Sequence, residues 1–196
     1  MTKKTVATAE MPNSGLGSQL RQRRRAKGLT LTELSRLAGL SVGLLSQIER
    51  GVSAPSLKSL MQISAALGIP PSWLFDQGSP QDPLEKGLVV RRGARRRLDL
   101  GSYGVTKELL TPDLGGELQL YLVEIRPGGQ SGPEAYTHRG EEAGLVLAGT
   151  LELIVEDRTV LLYEGDSFRF ESSVPHRYTN PGTTPTTAVW INSLPY

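Results

Sequence analysis

Cysteine is absent from the 196 residues of the chain, which excludes disulfide bonds, thiolate metal sites and cysteine nucleophiles. Histidine is nearly absent as well, with two residues, so imidazole chemistry is confined to two positions. No apolar run approaches the length needed to cross a bilayer, and the start MTKKTVATAE lacks the apolar core of a signal peptide. We therefore expect a cytoplasmic protein.

Charge is distributed unevenly along the chain, although the net charge is only +2. Residues 1–75 contain ten Lys/Arg and three Asp/Glu, and residues 76–97 contain six and three. Residues 98–196 contain six Lys/Arg and fourteen Asp/Glu, a net charge of −8. A basic front suits a polyanionic partner, whereas the acidic back half does not. The pattern predicts two domains with different partners.

The stretch Leu29–Gly51 carries the signals of two short helices. Thr30 followed three residues later by Glu33 is a capping box, which starts the first helix. Gly39 ends that helix, and Ser41 is a suitable N-cap for a second one. Two short helices joined by a tight glycine-containing turn predict a helix-turn-helix. The apolar residues at helical spacing are Leu31, Leu34 and Leu37, then Leu44, Leu45 and Ile48.

The second of these helices presents small and amide-bearing residues outward, so it could lie against base edges in a major groove. Plain packing is the alternative, since many all-α proteins contain such a pair. The segment resembles the phage-repressor-like, or XRE-type, helix-turn-helix family, whose hallmarks include the turn glycine and the closing Glu49-Arg50-Gly51. The resemblance implies DNA binding, with Val42, Gly43 and Gln47 at bases. The residues then expected at phosphates are Ser41, Ser46, Arg50, Ser53 and Ser56.

The rest of the front half completes a helical domain at residues 16–76, preceded by a disordered arm at 1–15. A first helix is expected from Leu16 to Lys27, a fourth after Ser56, and a short fifth after Pro70-Pro71. The basic run of the first helix is either a solvated face or a phosphate-contact surface. Its members are Arg21, Arg23, Arg24, Arg25 and Lys27. Residues 77–87, rich in Pro, Gly and charge, are expected to form a flexible linker.

Beyond residue 87 the hydrophobic period changes from helical to alternating. Short strands separated by Gly, Pro and Asp turns predict a β-sandwich or small barrel over residues 88–196. The expected strand segments are LVVRRG, ARRRLDL, GVTKELL, LQLYLVEI, GLVLAG, LELIVED, RTVLLYEGDSFRF and TTAVWIN. The predicted fold is therefore multidomain, with a five-helix bundle followed by an all-β domain.

The two histidines lie in related sequence contexts. His138 is followed by Glu142 and Gly149, and Gly165 is followed by His176 and Asn180. These spacings resemble the two motifs of the cupin family, a small double-stranded β-barrel, over most of residues 88–196. The resemblance implies a metal site with two histidines and a glutamate from the first motif and one histidine from the second.

One ligand of that family is replaced, because Tyr136 stands where the leading histidine is expected. The remaining set, His138, Glu142 and His176, suits non-haem Fe(II), and Zn²⁺ or Mn²⁺ is a chemically possible alternative. The competing interpretation is a metal-free barrel in which these side chains bind an organic effector. The residues expected to line such a pocket are Tyr136, His138, Glu142, Tyr163, Phe170 and His176.

The leading hypothesis is a homodimeric transcriptional repressor that binds double-stranded operator DNA. Its cupin domain would bind a small effector, for which an amino acid or amine is considered because the domain is acidic. The rival is a mononuclear iron enzyme, since a known epoxidase combines a helix-turn-helix with a cupin domain. A third interpretation is a cupin isomerase with a vestigial DNA-binding domain. Specific DNA binding separates the first hypothesis from the other two.

Overall fold

The first half of the protein is helical, and the computed structural model describes residues 15–75, 82–112 and 116–193. The arm predicted for residues 1–15 lies outside these ranges except for Gly15, and so do residues 77–81 of the predicted linker. The helices are α1 (Leu16–Ala26), α2 (Leu31–Ala38), α3 (Val42–Glu49) and α4 (Leu57–Leu67), followed by a short 3₁₀ helix, Pro71–Leu74.

Side chains at the predicted caps start the helices of the helix-turn-helix. The Thr30 hydroxyl accepts a hydrogen bond from the Glu33 backbone N–H at 3.2 Å, and the Glu33 carboxylate accepts one from the Thr30 N–H at 2.7 Å. This reciprocal pair is the expected capping box. Gly39 ends α2 in the left-handed conformation, with φ +66°, and the Ser41 hydroxyl caps α3. The helix-turn-helix is confirmed.

Two details of the helical domain differ from the sequence prediction. The fifth helix is a single 3₁₀ turn, in which the Trp73 N–H donates to the Pro70 carbonyl at 2.9 Å. That one turn is enough to bury Leu74 and Phe75, so packing does not require a longer helix. Leu37, expected on one helix face with Leu31 and Leu34, is 49% exposed, because Leu34 and Ala38 take the core-facing side of the short α2.

The helices α1 and α3 approach closely. A Cβ atom at Gly17 would lie 2.2 Å from the carbonyl oxygen of Ile48, so only glycine fits there. Further along α1, the buried Arg24 contacts both carboxylate oxygens of Glu49, at 2.6 and 2.9 Å, and donates to the Leu29 carbonyl at 2.7 Å. The acidic residue that closes the helix-turn-helix pattern is therefore a packing element that joins α3 to α1.

The second half contains nine antiparallel strands among the described residues. One sheet has the order β1-β2-β3-β9-β4-β7, and the other has the order β6-β5-β8. The sheets face each other, with the rings of Tyr178 and Trp190 4.8 Å apart between them. The strands are β1 (Arg96–Asp99), β2 (Val105–Leu109), β3 (Leu118–Ile125), β4 (Glu141–Ala148), β5 (Thr150–Val155), β6 (Arg158–Tyr163), β7 (Ser167–Glu171), β8 (His176–Thr179) and β9 (Thr186–Ser193).

Most predicted strand segments form strands, with three differences. The segment LVVRRG forms none, and a 3₁₀ turn occupies Arg92–Ala94 instead. The segment RTVLLYEGDSFRF divides into β6 and β7 at a turn where Gly165 has φ +89°. The strand β8 was not predicted, because its four residues are too few to show alternation; pairing with β5 places it. The small barrel expected for this domain is confirmed.

The two domains are in contact, although a flexible tether was expected to separate them. The Leu57 N–H at the start of α4 donates to the Ser131 carbonyl of the barrel at 2.9 Å. The ring of Phe75, at the end of the helical domain, stacks on Tyr121 of β3 with centroids 5.5 Å apart. Buried apolar residues of both domains form one continuous core. Among the described residues, no helix combines the length and apolar character needed to cross a membrane.

Candidate functional site

The outer face of α3 has the properties that base readout requires. Its inner face buries Leu45 and Ile48, and this fixes the helix against the rest of the domain. On the outer face Val42 is 41% exposed, and Gly43 faces open space, with no atom within 4 Å of an added Cβ. Gln47 is exposed beside them. These three residues can therefore approach base edges without any rearrangement of the domain.

Of the residues predicted to contact phosphates, four are exposed or half-buried and one is buried. Ser41 and Arg50 are exposed at the two ends of α3, and Ser46 and Ser53 are half-buried. Ser56 is a correction, because its side chain is buried, its hydroxyl caps α4 and it packs against Gly132 of the barrel. A phosphate cannot reach it in this arrangement.

The basic run of α1 is also divided. Arg24 is internal and pairs with Glu49, so it belongs to the packing of the domain. The Arg23 guanidinium lies over the Trp73 ring, 5.8 Å from its centroid. The exposed members are Arg21, Arg25 and Lys27, and only these present an open cationic surface. Sequence alone could not separate the two groups, because the separation depends on where α3 and the 3₁₀ turn lie.

The barrel brings together the three residues proposed as metal ligands. Glu142 lies on β4, His138 lies in the segment before it, and His176 begins β8 on the opposite sheet. The Nε2 atom of His138 is 2.5 Å from Oε1 of Glu142, and the Nε2 atom of His176 is 3.6 Å from the same oxygen. One ligand atom from each residue can be chosen so that all three lie within 4.8 Å of one another. This spacing suits a single cation.

The backbone orients both imidazoles toward such a cation. The Nδ1 atom of His138 is 2.9 Å from the Arg139 carbonyl, and the Nδ1 atom of His176 is 2.9 Å from the Val174 carbonyl. A carbonyl only accepts, so each Nδ1 carries the proton. Each Nε2 atom is then directed at the Glu142 carboxylate: it donates a hydrogen bond when the ring is protonated and presents a lone pair when the ring is neutral. The buried Nε2 of His176 has no hydrogen-bond partner among the described residues. In the neutral state, lone pairs and carboxylate oxygens that face one another need a bridging proton or a metal ion.

Glu142 is the centre of the cluster, with a side chain 2% exposed. Burial raises the pKa of its carboxyl, but the hydrogen bond to His138 and the favourable charge interactions with His138 and His176 outweigh burial and lower the pKa to about 2. Its second oxygen accepts a hydrogen bond from the Trp190 indole N–H at 2.7 Å. The carboxylate is therefore held in one orientation and stays ionised.

The aromatic residues expected to line the pocket are also divided. Tyr136 is buried, and its ring meets that of His176 edge-on at 4.2 Å, so it occupies the barrel interior beside the cluster. Phe170 lies 4.9 Å from the His176 ring. Tyr163 is a correction: it is 55% exposed, because its position on β6 directs it away from the interior.

Lys107 is a candidate functional residue that sequence analysis missed. It points into the barrel, where its ammonium lies 5.5, 5.9 and 5.7 Å from the ring centroids of Tyr121, Tyr178 and Trp190. It forms no ion pair with the residues that the structure describes. Burial lowers the pKa of this ammonium, and the negative charge of Glu142 opposes the shift. The alternation of the strand could have indicated this position, because Lys107 lies on the same face of β2 as Val105 and Leu109.

Known proteins resemble the chain in both domains. The family model described as Helix-turn-helix matches residues 20–74, and the family model described as Cupin domain matches residues 121–192. The HTH-type transcriptional regulator PuuR of Escherichia coli is 28% identical over 173 residues, which cover 87% of this chain and 91% of PuuR. The chain joins an XRE-type helix-turn-helix domain to a cupin domain.

A second curated regulator and one solved structure also resemble the chain over both domains. The HTH-type transcriptional regulator SutR of Escherichia coli is 26% identical over 172 residues, covering 85% of this chain and 88% of SutR. The crystal structure of an HTH_3 family transcriptional regulator from Vibrio cholerae has a TM-score of 0.65 and 24% identity, covering 92% of this chain and 96% of that chain. That structure shares the two-domain fold. PuuR and SutR are both HTH-type transcriptional regulators by name.

Proposed function

We propose that this regulator is a repressor, not an enzyme, and that a small effector in contact with its barrel domain changes its affinity for operator DNA. The observation that supports this most directly is the open outer face of α3, where Val42, Gly43 and Gln47 stand clear of the domain. Ser41, Ser46, Arg50 and Ser53 would then fix the phosphates. Footprinting of the DNA upstream of its own gene, at moderate salt, tests the proposal. Absence of a protected sequence would contradict it.

Gln47 provides the sharpest test of the recognition helix. A glutamine can pair with adenine through two hydrogen bonds, so Gln47→Ala should reduce discrimination between operator and unrelated DNA by about 1–3 kcal/mol. Gel-shift titrations on both DNAs measure this difference. Gln22→Ala, the same substitution at an exposed position of α1, is the matched control and should leave discrimination unchanged. Equal discrimination by wild type and Gln47→Ala would show that α3 does not read the operator through this residue.

We further propose a homodimer formed through the outer face of the larger sheet. Outward-facing residues of three neighbouring strands make an apolar surface, in which Leu122, Val189 and Leu145 stand side by side. Leu145 and Leu147 are 40% and 41% exposed. Exposed apolar surfaces of this kind mark interaction sites, and a second copy is the partner that a repressor needs to read two half-sites. The remaining outer residues of this surface are Leu118, Leu120, Ala143 and Ile191.

A charge in the middle of this surface should prevent the two copies from associating. Leu145→Asp is expected to convert the dimer to a monomer in analytical ultracentrifugation, and to weaken operator binding because the two heads are no longer linked. Leu161→Asp is the matched control, since Leu161 is 43% exposed on β6 of the other sheet. A dimer that survives Leu145→Asp but not Leu161→Asp would place the interface on the smaller sheet.

The cluster of His138, Glu142 and His176 fits a divalent metal, and we propose that Fe, Zn or Mn binds there. The fit rests on the unpartnered Nε2 of His176 and on the two Nδ1–H groups that direct both lone pairs inward. Such a metal would supply a Lewis acid to which an oxygen atom of a ligand can bind. The residues of the chain do the rest: Trp190 holds the carboxylate, and Tyr136 and Phe170 keep the site apolar.

The same donor set favours a second candidate function, since two histidines and one carboxylate are the ligands of mononuclear non-haem iron enzymes. The two candidates differ in what the helical domain must do. An iron enzyme needs no sequence-specific contact from α3, whereas the repressor does. Stoichiometric iron in a protein that protects no operator sequence would favour the enzyme.

A further inference from the structure

A cavity of about 400 Å³ lies between the DNA-binding domain and the barrel. One wall is the face of α4 that carries Met61, Ser64 and Ala65, and the other is formed by the barrel residues His138, Arg139 and Asn192. A volume of this order is in the range of small-molecule sites. Three of its ten lining residues belong to α4, and neither Glu142 nor Lys107 of the barrel interior is among the ten, so the cavity differs from the barrel interior.

Two residues of this wall, Ser64 and Asn192, each carry a buried polar atom with no hydrogen-bond partner in the described part of the chain. The Ser64 hydroxyl belongs to a residue 1% exposed, and the amide oxygen of Asn192 belongs to a residue 8% exposed. Neither forms a hydrogen bond with the residues that the structure describes. Buried polar groups in folded proteins are nearly always paired, so two such atoms, on residues that line one cavity from opposite domains, point to a ligand that pairs with both.

The charge at the cavity defines the class of that ligand. Arg139 is exposed at the cavity and forms no ion pair among the described residues, so its guanidinium is available for a bidentate contact. Among the residues that the structure describes, no carboxylate side chain lines the cavity, and Met61, Ala65 and Tyr121 give it an apolar surface. An amine would meet the guanidinium without a compensating negative charge. These features favour a small organic carboxylic acid with an apolar body.

We propose that this cavity is the effector site and that its ligand is a small carboxylic acid with an apolar portion. The carboxylate pairs with Arg139, and polar groups of the ligand meet Ser64 and Asn192. The ligand touches α4 and the barrel at once, so it favours one placement of the DNA-binding domain over others. The effect on DNA rests on the proposed function, whereas the binding itself does not.

Direct binding is tested by titration calorimetry on the full-length protein. The probes are hexanoate, phenylacetate, benzoate and leucine, each compared with the amide or amine of the same carbon skeleton. We expect saturable binding of at least one carboxylate and none of its uncharged or cationic counterpart. Arg139→Gln should weaken that binding about tenfold or more, because a charge-assisted contact is lost. Failure of all four carboxylates to bind, or preference for the amines, would overturn the proposal.

Two variants locate the ligand. Ala65→Trp places a large side chain at an exposed position of the α4 wall, so it should abolish binding without disturbing the core. Ser64→Ala removes an unpaired buried hydroxyl, so it should weaken binding several-fold while the thermal midpoint stays the same or rises. Unchanged binding by Ala65→Trp would place the ligand inside the barrel and overturn the proposal.

Gel shifts of the same variants without ligand separate this proposal from the proposed function. Ala65→Trp should bind operator DNA as wild type does, and only its response to the carboxylate should be lost. If the carboxylate binds as expected but neither the wild type nor the variants bind operator DNA, the ligand site is supported and the repressor is refuted. If the wild type binds operator DNA but no carboxylate, the repressor is supported and the ligand site is refuted.

Discussion

Glu142→Ala is expected to lower the free energy of unfolding by about 3–5 kcal/mol, the cost of removing one member of a buried charged pair. The substitution takes away the only carboxylate in contact with His138 and His176 among the described residues, and it leaves the Trp190 indole N–H without its acceptor. Urea unfolding at one fixed protein concentration measures the change. The same variant should also fail to retain Fe, Zn or Mn after desalting, as measured by mass spectrometry of the metals.

The neighbouring residue provides the matched control for Glu142. Glu141 lies next to it on β4, but its carboxylate is partly exposed and pairs with Arg169 at the surface. A surface ion pair contributes about 0–1 kcal/mol, so Glu141→Ala should change stability and metal content little. Similar losses for the two variants would mean that Glu142 has no special role. If Glu142→Ala retained the metal, the cluster of His138, Glu142 and His176 would not be the metal site.

Arg24→Met should destabilise the protein by about 3–5 kcal/mol through the DNA-binding domain. The Arg24 and Glu49 side chains are 10% and 6% exposed, and the guanidinium makes two contacts with the carboxylate. Without it, the Glu49 carboxylate remains buried and unpaired, and the Leu29 carbonyl loses a donor. Thermal and urea unfolding measure the loss. Operator affinity should fall as well, because Glu49 closes α3.

Arg25→Met is the control for this substitution. Arg25 is exposed on the same helix, so the variant loses the same charge without breaking a buried pair. Its stability should remain within about 0.5 kcal/mol of wild type. A different result would be that both variants keep the stability of wild type and weaken operator binding equally. Both arginines would then be phosphate contacts, and the pair of Arg24 with Glu49 would contribute little to the free energy of unfolding.

Local signals account for what could be predicted from the sequence. The capping box at Thr30, the αL turn at Gly39 and the caps at Ser41 and Ser56 depend on residues within a few positions of one another, and all of them form. The cluster of His138, Glu142 and His176 was predictable for a different reason. A motif resemblance supplied its long-range pairing, which no local rule contains.

The features that were missed depend on which elements meet in space. Lys107 stood at an inward position of β2, but only the folding of β3, β8 and β9 around it places three aromatic rings about its ammonium. A serine at position 56 could be either a phosphate contact or an N-cap. The barrel covers its side chain, so it serves only as the N-cap of α4. The cavity beside α4 has no counterpart in the sequence of either domain, because both domains supply its wall.

The contact between the domains limits how freely the parts of this protein can be exchanged by recombination. Phe75 stacks on Tyr121, and the Leu57 N–H bonds to the Ser131 carbonyl, so each half completes the interior of the other. A foreign barrel fused after residue 75 would leave the Phe75 ring without its stacking partner unless it carried an aromatic side chain at the position of Tyr121. Chimeric sensors built on this DNA-binding domain must therefore inherit that aromatic pair as well as the helix-turn-helix.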